Sequence, residues 1–261
     1  MSNLADALHE YLALRRALGA KLESNEFPLR RFVEFAAREG ADVVTTDLVL
    51  RWIGSQDRAS LATRGARFGD VRRFARWLSA ADPRTEVPSR DLFPSRFPRK
   101  PPHIYTDGEV TGLVEAAVRL RSRSGLRGLT YAALFGTLAA TGLRISEAVA
   151  LDRDDVDLGD GVLAVRHAKL GKQRFVPLHE SATLALSTYA RRRDLVLRRP
   201  GTPAFFVAES GRRVNALSAQ DNFAVVSRAV GLRAPAGPTR RGHGPRLHDL
   251  RHRLAVRTLV R

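Results

Sequence analysis

Two short segments of this chain combine arginine with a carboxylate or a histidine at helical spacing. The first, TGLRISE, places Arg144 at a predicted helix start, three residues before Glu147. The second, HDLRH, places His248 and Arg251 three residues apart, on one face of the first turn of a predicted helix. Cationic donors at the positive end of a helix dipole favour a phosphate or another oxyanion.

Each segment also has a purely structural interpretation. A local ion pair between Arg144 and Glu147 would explain the first segment as well as a binding role does. A solvated polar face on an exposed helix would explain the second segment better, if that segment stood alone. The two segments therefore gain meaning only from their combination with other features.

A predicted β-hairpin lies between these two segments. Its strands are VLAVRH and RFVPL, and its turn, AKLGKQ, contains Lys169 and Lys172. A basic hairpin turn is usually just solvated. A flexible hairpin can, however, carry a lysine into a DNA groove, and lysine can act as a general acid.

The positive charge of the chain is large and unevenly distributed. Lys and Arg number 44 against 27 Asp and Glu, a net charge of +17, and 40 of these cations are arginine. Residues 191–261 carry 16 basic and 4 acidic residues, whereas residues 101–190 carry 10 of each. A basic surface of this kind suits a polyanion, and double-stranded DNA is the expected partner.

Composition also bears on cofactors and location. The sequence contains no cysteine, which excludes disulfides and thiolate zinc sites. No apolar run approaches the length of a bilayer span, and the N-terminus is typical of an amphipathic helix rather than a signal peptide. The aspartates of residues 152–157 are interpreted as a solvated loop. We therefore expect a cytoplasmic protein without cofactor, metal, membrane contact or small-molecule substrate.

The apolar pattern predicts a mainly α-helical chain with a small β-hairpin or sheet, divided into two units. Residues 1–81 predict four short helices, with Thr45 or Thr46 capping the third. Residues 82–103 hold six of the thirteen prolines and predict a semi-extended linker. Residues 104–261 predict a mixed α+β domain that begins with a capping box at Thr106 and Glu109, and AFFVA is a further candidate strand.

TGLRISE, the AKLGK hairpin with RFVPL, and LHDLRH occur here in an order and spacing that resemble the tyrosine recombinase (phage integrase) family. The resemblance covers essentially the whole chain. It implies a helical core-binding domain at residues 1–81 and a catalytic domain at residues 104–261. It also implies site-specific DNA recombination and integration, as carried out by mobile elements, without a metal ion.

The resemblance assigns roles position by position. Arg144 and Arg251 would hold the non-bridging oxygens of the scissile phosphate and offset charge in the transition state. His248 would support the phosphate and handle protons. Lys169 would be the general acid toward the leaving 5′-oxygen, with Lys172 as its rival. Glu147 would be the structural acid that steadies the arginine helix.

The tyrosine nucleophile of the family is expected downstream of Arg251. The tyrosines of this sequence all precede that residue: Tyr11, Tyr105, Tyr131 and Tyr189. Tyr131 and Tyr189 lie on apolar helical faces and are predicted to be core residues. We therefore expect a chain truncated at its C-terminus, inactive in strand exchange by itself and with apolar surface exposed near residues 250–261.

Two other functions compete with a recombinase. A non-catalytic remnant or regulator could occupy recombination sites, and the sequence does not separate it from the first interpretation. A helical DNA-binding regulator of other ancestry would have no use for the hairpin. In the family interpretation, self-association or association with related recombinase subunits on DNA is expected.

Overall fold

The computed structural model describes the following residues: 4–22, 25–93, 101–166, 173–198, 201–235 and 244–259. The chain divides into two compact units, residues 1–100 and 101–261. Each unit has its own hydrophobic core. The described residues are mainly helical with one small antiparallel sheet, so the predicted fold class is confirmed.

The described part of the first unit is built on four α-helices around an aromatic core. They are α1 (Leu4–Ala17), α2 (Glu26–Arg38), α3 (Thr46–Gly54) and α4 (Leu61–Leu78). The Phe32 and Trp52 rings meet edge to face, with centroids 5.3 Å apart. Of the two predicted caps, Thr45 is the one used, because its side chain accepts a hydrogen bond from the Leu48 backbone N–H at 3.2 Å.

The proline-containing segment after α4 lies against the first unit as far as it is described. The Glu86 carboxylate accepts a hydrogen bond from the Thr46 backbone N–H at 2.7 Å. The Arg72 Nε donates to the Pro88 carbonyl at 2.7 Å. The first bond satisfies a backbone N–H at the start of α3, and the second satisfies a carbonyl of the proline-containing segment.

The described part of the second unit contains six α-helices as well as one small sheet. They are α5 (Asp107–Val118), α6 (Leu126–Thr141), α7 (Ile145–Ala150), α8 (Glu180–Val196), α9 (Ala216–Ala229) and α10 (Asp249–Leu259). The capping box predicted at the start of α5 is present, since Thr106 and Glu109 each accept from the other's backbone N–H. Helix α6 is almost wholly buried and forms the centre of this core.

The sheet has three strands in the order β1-β2-β3, all antiparallel. They are β1 (Val156–Asp157), β2 (Val162–Val165) and β3 (Arg174–Pro177). The predicted hairpin strands are confirmed, and β1 was missed because its two residues lie in an acidic, glycine-containing stretch. The candidate strand AFFVA is wrong: these residues make only isolated bridges, Asp152 with Ala204 and Val207 with Arg213.

The interpretation of the aspartates of residues 152–157 as a solvated loop holds for the exposed Asp154 and Asp157 but is wrong for Asp155. The Asp155 side chain is buried and accepts from the Asp152 backbone N–H at 2.9 Å. It also pairs with the Arg166 Nε at 2.6 Å, while Asp152 pairs with Arg213. These carboxylates hold the loop against the core through arginines that are distant in sequence, a pattern that composition does not show.

Helix α10 is fastened to the start of the second unit. Arg253 is 7% exposed, and its Nε donates to the Tyr105 carbonyl at 2.9 Å. Arg253 and Arg257 both pair with Asp107, at the first turn of α5. The Tyr105 hydroxyl in turn donates to the Arg246 carbonyl at 3.0 Å. These contacts fix the helix that carries Arg251.

None of the described helices combines the length and the apolar composition that crossing a bilayer requires.

Candidate phosphate-binding site

Arg144 and Glu147 form the local pair that their spacing predicts. Arg144 is the extended residue before α7, and its backbone N–H donates to Glu147 Oε2 at 2.9 Å. Its guanidinium donates to Glu147 Oε1, also at 2.9 Å. One carboxylate therefore caps the helix and orients the arginine side chain.

Glu147 is shared with a second arginine that the sequence analysis did not select. The Arg174 guanidinium donates to Glu147 Oε2 at 2.7 Å and to Oε1 at 3.3 Å. The Glu147 side chain is only 2% exposed. Burial alone would raise the pKa of Glu147, but the hydrogen bonds from Arg174 and Arg144 outweigh it and lower the pKa to about 2. Glu147 is thus a permanent anion at ordinary pH.

Arg251 reaches the same region from α10. Its guanidinium donates to the Gly142 carbonyl at 2.6 Å. Gly142 ends α6 in the left-handed conformation, with a φ of 62°. This turn makes the Gly142 carbonyl accessible to Arg251, and the chain reaches Arg144 two residues later.

The three arginines line one open groove of about 660 Å³. Its other lining residues come from the end of α6 and from α10: Thr141, Gly142, Leu254, Ala255, Thr258 and Leu259. Arg144 and Arg174 remain 42% and 37% exposed, so their guanidiniums are accessible. Glu147 pairs with two of these three arginines and offsets one positive charge, which leaves the groove positive and suited to an oxyanion.

His248 lies next to this groove but not among its lining residues. It is exposed, directly before α10, and its ring lies 5.1 Å from the His252 ring at 85°. Partial burial, and then the positive neighbours His252 and Arg251, lower the pKa of His248. At neutral pH the imidazole is therefore largely uncharged and can accept or donate a proton.

The segment that carries His248 and Arg251 is anchored by Asp249. The buried Asp249 carboxylate accepts from the Arg246 backbone N–H at 2.9 Å and from the Arg246 guanidinium at 2.8 Å. Burial acts to raise the pKa of Asp249, but these bonds outweigh it and lower the pKa. The start of α10 thus repeats the arrangement at the start of α7, an arginine followed three residues later by a buried acid.

The two candidate lysines, Lys169 and Lys172, lie outside the described residues. The strands on either side of them are described, and their last pair is Val165 with Arg174.

All four tyrosines are at most 5% exposed. The predicted core positions of Tyr131 and Tyr189 are confirmed. Burial raises the pKa of Tyr105, Tyr131 and Tyr189. Two of these hydroxyl groups form hydrogen bonds with backbone groups inside the protein. The Tyr189 hydroxyl accepts from the Val207 backbone N–H at 3.0 Å, and the Tyr105 hydroxyl donates to the Arg246 carbonyl at 3.0 Å.

In the described parts of the chain, no group of three or more histidine or acidic side chains is placed to hold a metal ion.

Gly142 gives a first test of this geometry. Gly142→Ala is expected to lower the free energy of unfolding by about 2 kcal/mol, because alanine is strained at positive φ and its Cβ would lie 2.8 Å from Leu254 Cδ2. Gly40→Ala is the matched control, since Gly40 has a φ of 65° but nothing within 4 Å of a Cβ. Urea denaturation should show a loss about 1 kcal/mol smaller for the control. Equal losses would mean that α10 does not pack closely on Gly142.

The chain combines a fold of two helical units with a groove lined by three arginines. Comparison with known proteins shows the family to which such a chain belongs. The family model described as phage integrase family matches residues 107–260. A Sinorhizobium fredii protein named integrase/recombinase y4rB is 39% identical over 265 residues, covering 100% of this chain and 83% of the relative. The tyrosine recombinase XerD of Mycobacterium tuberculosis is 35% identical over 208 residues, covering 78% of this chain and 61% of the relative.

A solved structure agrees on the fold. The lambda integrase dimer bound to a COC′ core site superposes with a TM-score of 0.67 at 17% identity, covering 98% of this chain and 89% of that one. The chain belongs to the phage integrase family, as its motifs predicted.

Proposed function

We propose that this chain binds double-stranded DNA and acts in site-specific recombination or integration, with a backbone phosphate held in the arginine groove. The observation that carries this proposal is the convergence of Arg144, Arg174 and Arg251 on one groove. Glu147, a buried carboxylate, pairs with the first two of them. The relatives named as integrases and recombinases support the same activity.

Within this proposal each residue of the groove has a distinct task. The guanidinium forks of Arg144 and Arg251 bind the non-bridging oxygens and stabilise the charge that develops there. Glu147 and Gly142 hold these two arginines in place. His248, largely neutral and next to the groove, accepts or donates a proton. Lys169 remains the proposed general acid toward the leaving 5′-oxygen, with Lys172 as the alternative.

The first unit is proposed to supply a separate DNA-binding surface. A groove of about 690 Å³ between α2 and α4 is lined by four arginines: Arg31, Arg38, Arg58 and Arg67. It also contains Phe27 and Phe35, each with an arginine guanidinium about 6 Å from its ring centroid. Phe27 is exposed and Phe35 is partly buried, and cations beside accessible aromatic rings suit nucleic acid.

The assembly and location follow from the same proposal. The lambda integrase in the solved structure is a dimer on its DNA site, and we infer that this chain also acts with further recombinase subunits on DNA. A mobile element is the proposed setting. A cytoplasmic location is proposed as well, since the proposed substrate is DNA and the sequence contains no cysteine.

Salt dependence of DNA binding tests the proposal. The affinity for a duplex should fall steeply as salt rises, by a slope of about 0.9 in log K per phosphate contacted. Arg251→Ala is expected to weaken binding about tenfold and to reduce this slope by about one contact. Arg119→Ala is the control, because Arg119 is an exposed arginine directly after α5 that does not line the groove. Fluorescence anisotropy over a salt series measures both quantities, and a flat salt response would contradict DNA binding through phosphates.

A further inference from the structure

Arg174 occupies an unusual position for a cation. It begins β3 directly opposite Val165, and side chains of an antiparallel pair point to the same face of the sheet. Val165 is 2% exposed, so this face is the core face. Arg174 is itself 37% exposed, and its guanidinium pairs there with Glu147, the buried charge that needs a partner.

Both oxygens of Glu147 are fully used. Oε1 accepts from the guanidiniums of Arg144 and Arg174, and Oε2 accepts from the Arg144 backbone and the Arg174 guanidinium. Arg174 approaches with two of its nitrogens, whereas the Arg144 side chain uses one. Of the three guanidinium contacts with this carboxylate, Arg174 therefore makes two and Arg144 one, so most side-chain donors of Arg144 stay available to the groove.

Removal of Arg174 would change this balance. Glu147, buried and ionised, would be left with Arg144 as its sole cationic neighbour among these contacts. A buried carboxylate attracts its remaining cationic partner strongly, because an unpaired charge in the interior raises the free energy of the folded protein. Arg144 would then form a closed ion pair, and its charge would be cancelled where a phosphate must bind.

We propose that Arg174 is a positioning residue of the phosphate site: by neutralising Glu147 it leaves Arg144 free to bind phosphate. The proposal rests on the DNA-binding function proposed above. It also gives the β2–β3 hairpin a direct link to the phosphate site, because the first residue of β3 and the first turn of α7 share one carboxylate.

The test is a suppressor experiment on duplex DNA binding by the full chain. Arg174→Ala should weaken binding about tenfold. Adding Glu147→Gln to Arg174→Ala should restore the affinity to within about threefold of the wild type, because the anion that captures Arg144 is gone. A purely structural role predicts the opposite, since the second substitution removes further hydrogen bonds and should make binding equal or worse.

The matched control is an exposed ion pair between Glu115, in α5, and Arg119, directly after that helix. Arg119→Ala and then Glu115→Gln make the same changes in net charge away from the groove. If Glu115→Gln rescues Arg119→Ala as much as Glu147→Gln rescues Arg174→Ala, overall charge explains the result and the proposal is overturned. Arg174→Lys keeps a positive charge beside Glu147 and should therefore bind DNA more tightly than Arg174→Ala, but more weakly than the wild type, because lysine cannot repeat the contact made by two nitrogens.

Circular dichroism and thermal melting establish that each variant is folded, and Arg174→Gln replaces Arg174→Ala if the latter does not fold. Normal binding by the neutral Arg174 variant would overturn this inference alone. Lack of duplex binding by the wild-type chain would overturn the proposed function and this inference with it.

Discussion

Gly128→Ala is expected to lower the free energy of unfolding by about 3 kcal/mol, because the added methyl group has no space between two helices. Gly128 lies in the first turn of α6, where a Cβ would stand 2.2 Å from the Val118 carbonyl oxygen and 3.1 Å from that of Ala117. Both obstacles are backbone at the end of α5 and cannot move aside as a side chain can. The two helices would have to separate in a core that is packed as densely as a crystal.

Gly136→Ala in the same helix is the matched control. A Cβ at Gly136 would meet nothing within 4 Å. Alanine is the better helix former, so this variant is expected to gain about 0.5–1 kcal/mol. Chemical denaturation of both variants should therefore give shifts of opposite sign. A similar loss in both would show that the close approach of α5 and α6 at Gly128 is not real.

Acid should weaken the protein through Glu147, with an expected loss on the order of 3 kcal/mol. The folded protein lowers the pKa of this carboxyl from 4.5 to about 2. A lowered folded-state pKa contributes stability that is fully present above the unfolded pKa. That contribution is lost as the pH falls from about 4.5 toward 2, where the carboxylate takes up a proton in the folded state as well.

Glu147→Gln separates this effect from those of other acids. The variant should be less stable than the wild type at pH 7, and the difference should shrink as the pH falls through the same window. Glu209→Gln is a useful comparison, because hydrogen bonds from Ser122 and Ser124 also lower the pKa of Glu209 to about 2. Glu209 does not line the arginine groove, so its replacement should change acid stability without changing DNA affinity. A constant stability difference between wild type and Glu147→Gln from pH 7 to 2 would contradict the assignment.

Contacts within a few residues were the predictable part of the structure. The capping box of Thr106 and Glu109, the cap at Thr45 and the pair of Arg144 with Glu147 follow from spacings of three residues, which a helix start brings together. The periodicity of apolar residues predicted four helices in residues 1–81, and the described part of that segment contains four.

Contacts between distant segments were not predictable. Arg174 reaches Glu147 only because β3 pairs with β2 in one register, and a shift by one residue would turn its side chain to the other face. The alternation in RFVPL carries a trace of this, since it places Arg174 on the same face as Val176. The pairing of Asp107 with Arg253 and Arg257 has no comparable signal in the sequence. The residues on either side of the aspartate and of the two arginines form no pattern that predicts this contact. The roles of Arg144, Lys169, His248 and Arg251 themselves remain proposals.

The fastening of α10 to Asp107 and Tyr105 also has a kinetic consequence. The residues it joins are about 146 positions apart, so the chain must close a very long loop before these bonds can form. Contacts of such high sequence separation slow folding and tend to form late. Arg144 and Glu147 can find each other early, whereas Arg251 reaches Gly142 only after α10 has docked. Folding intermediates should therefore contain half of the phosphate site, and the ability to hold a phosphate should be acquired in the last step of folding.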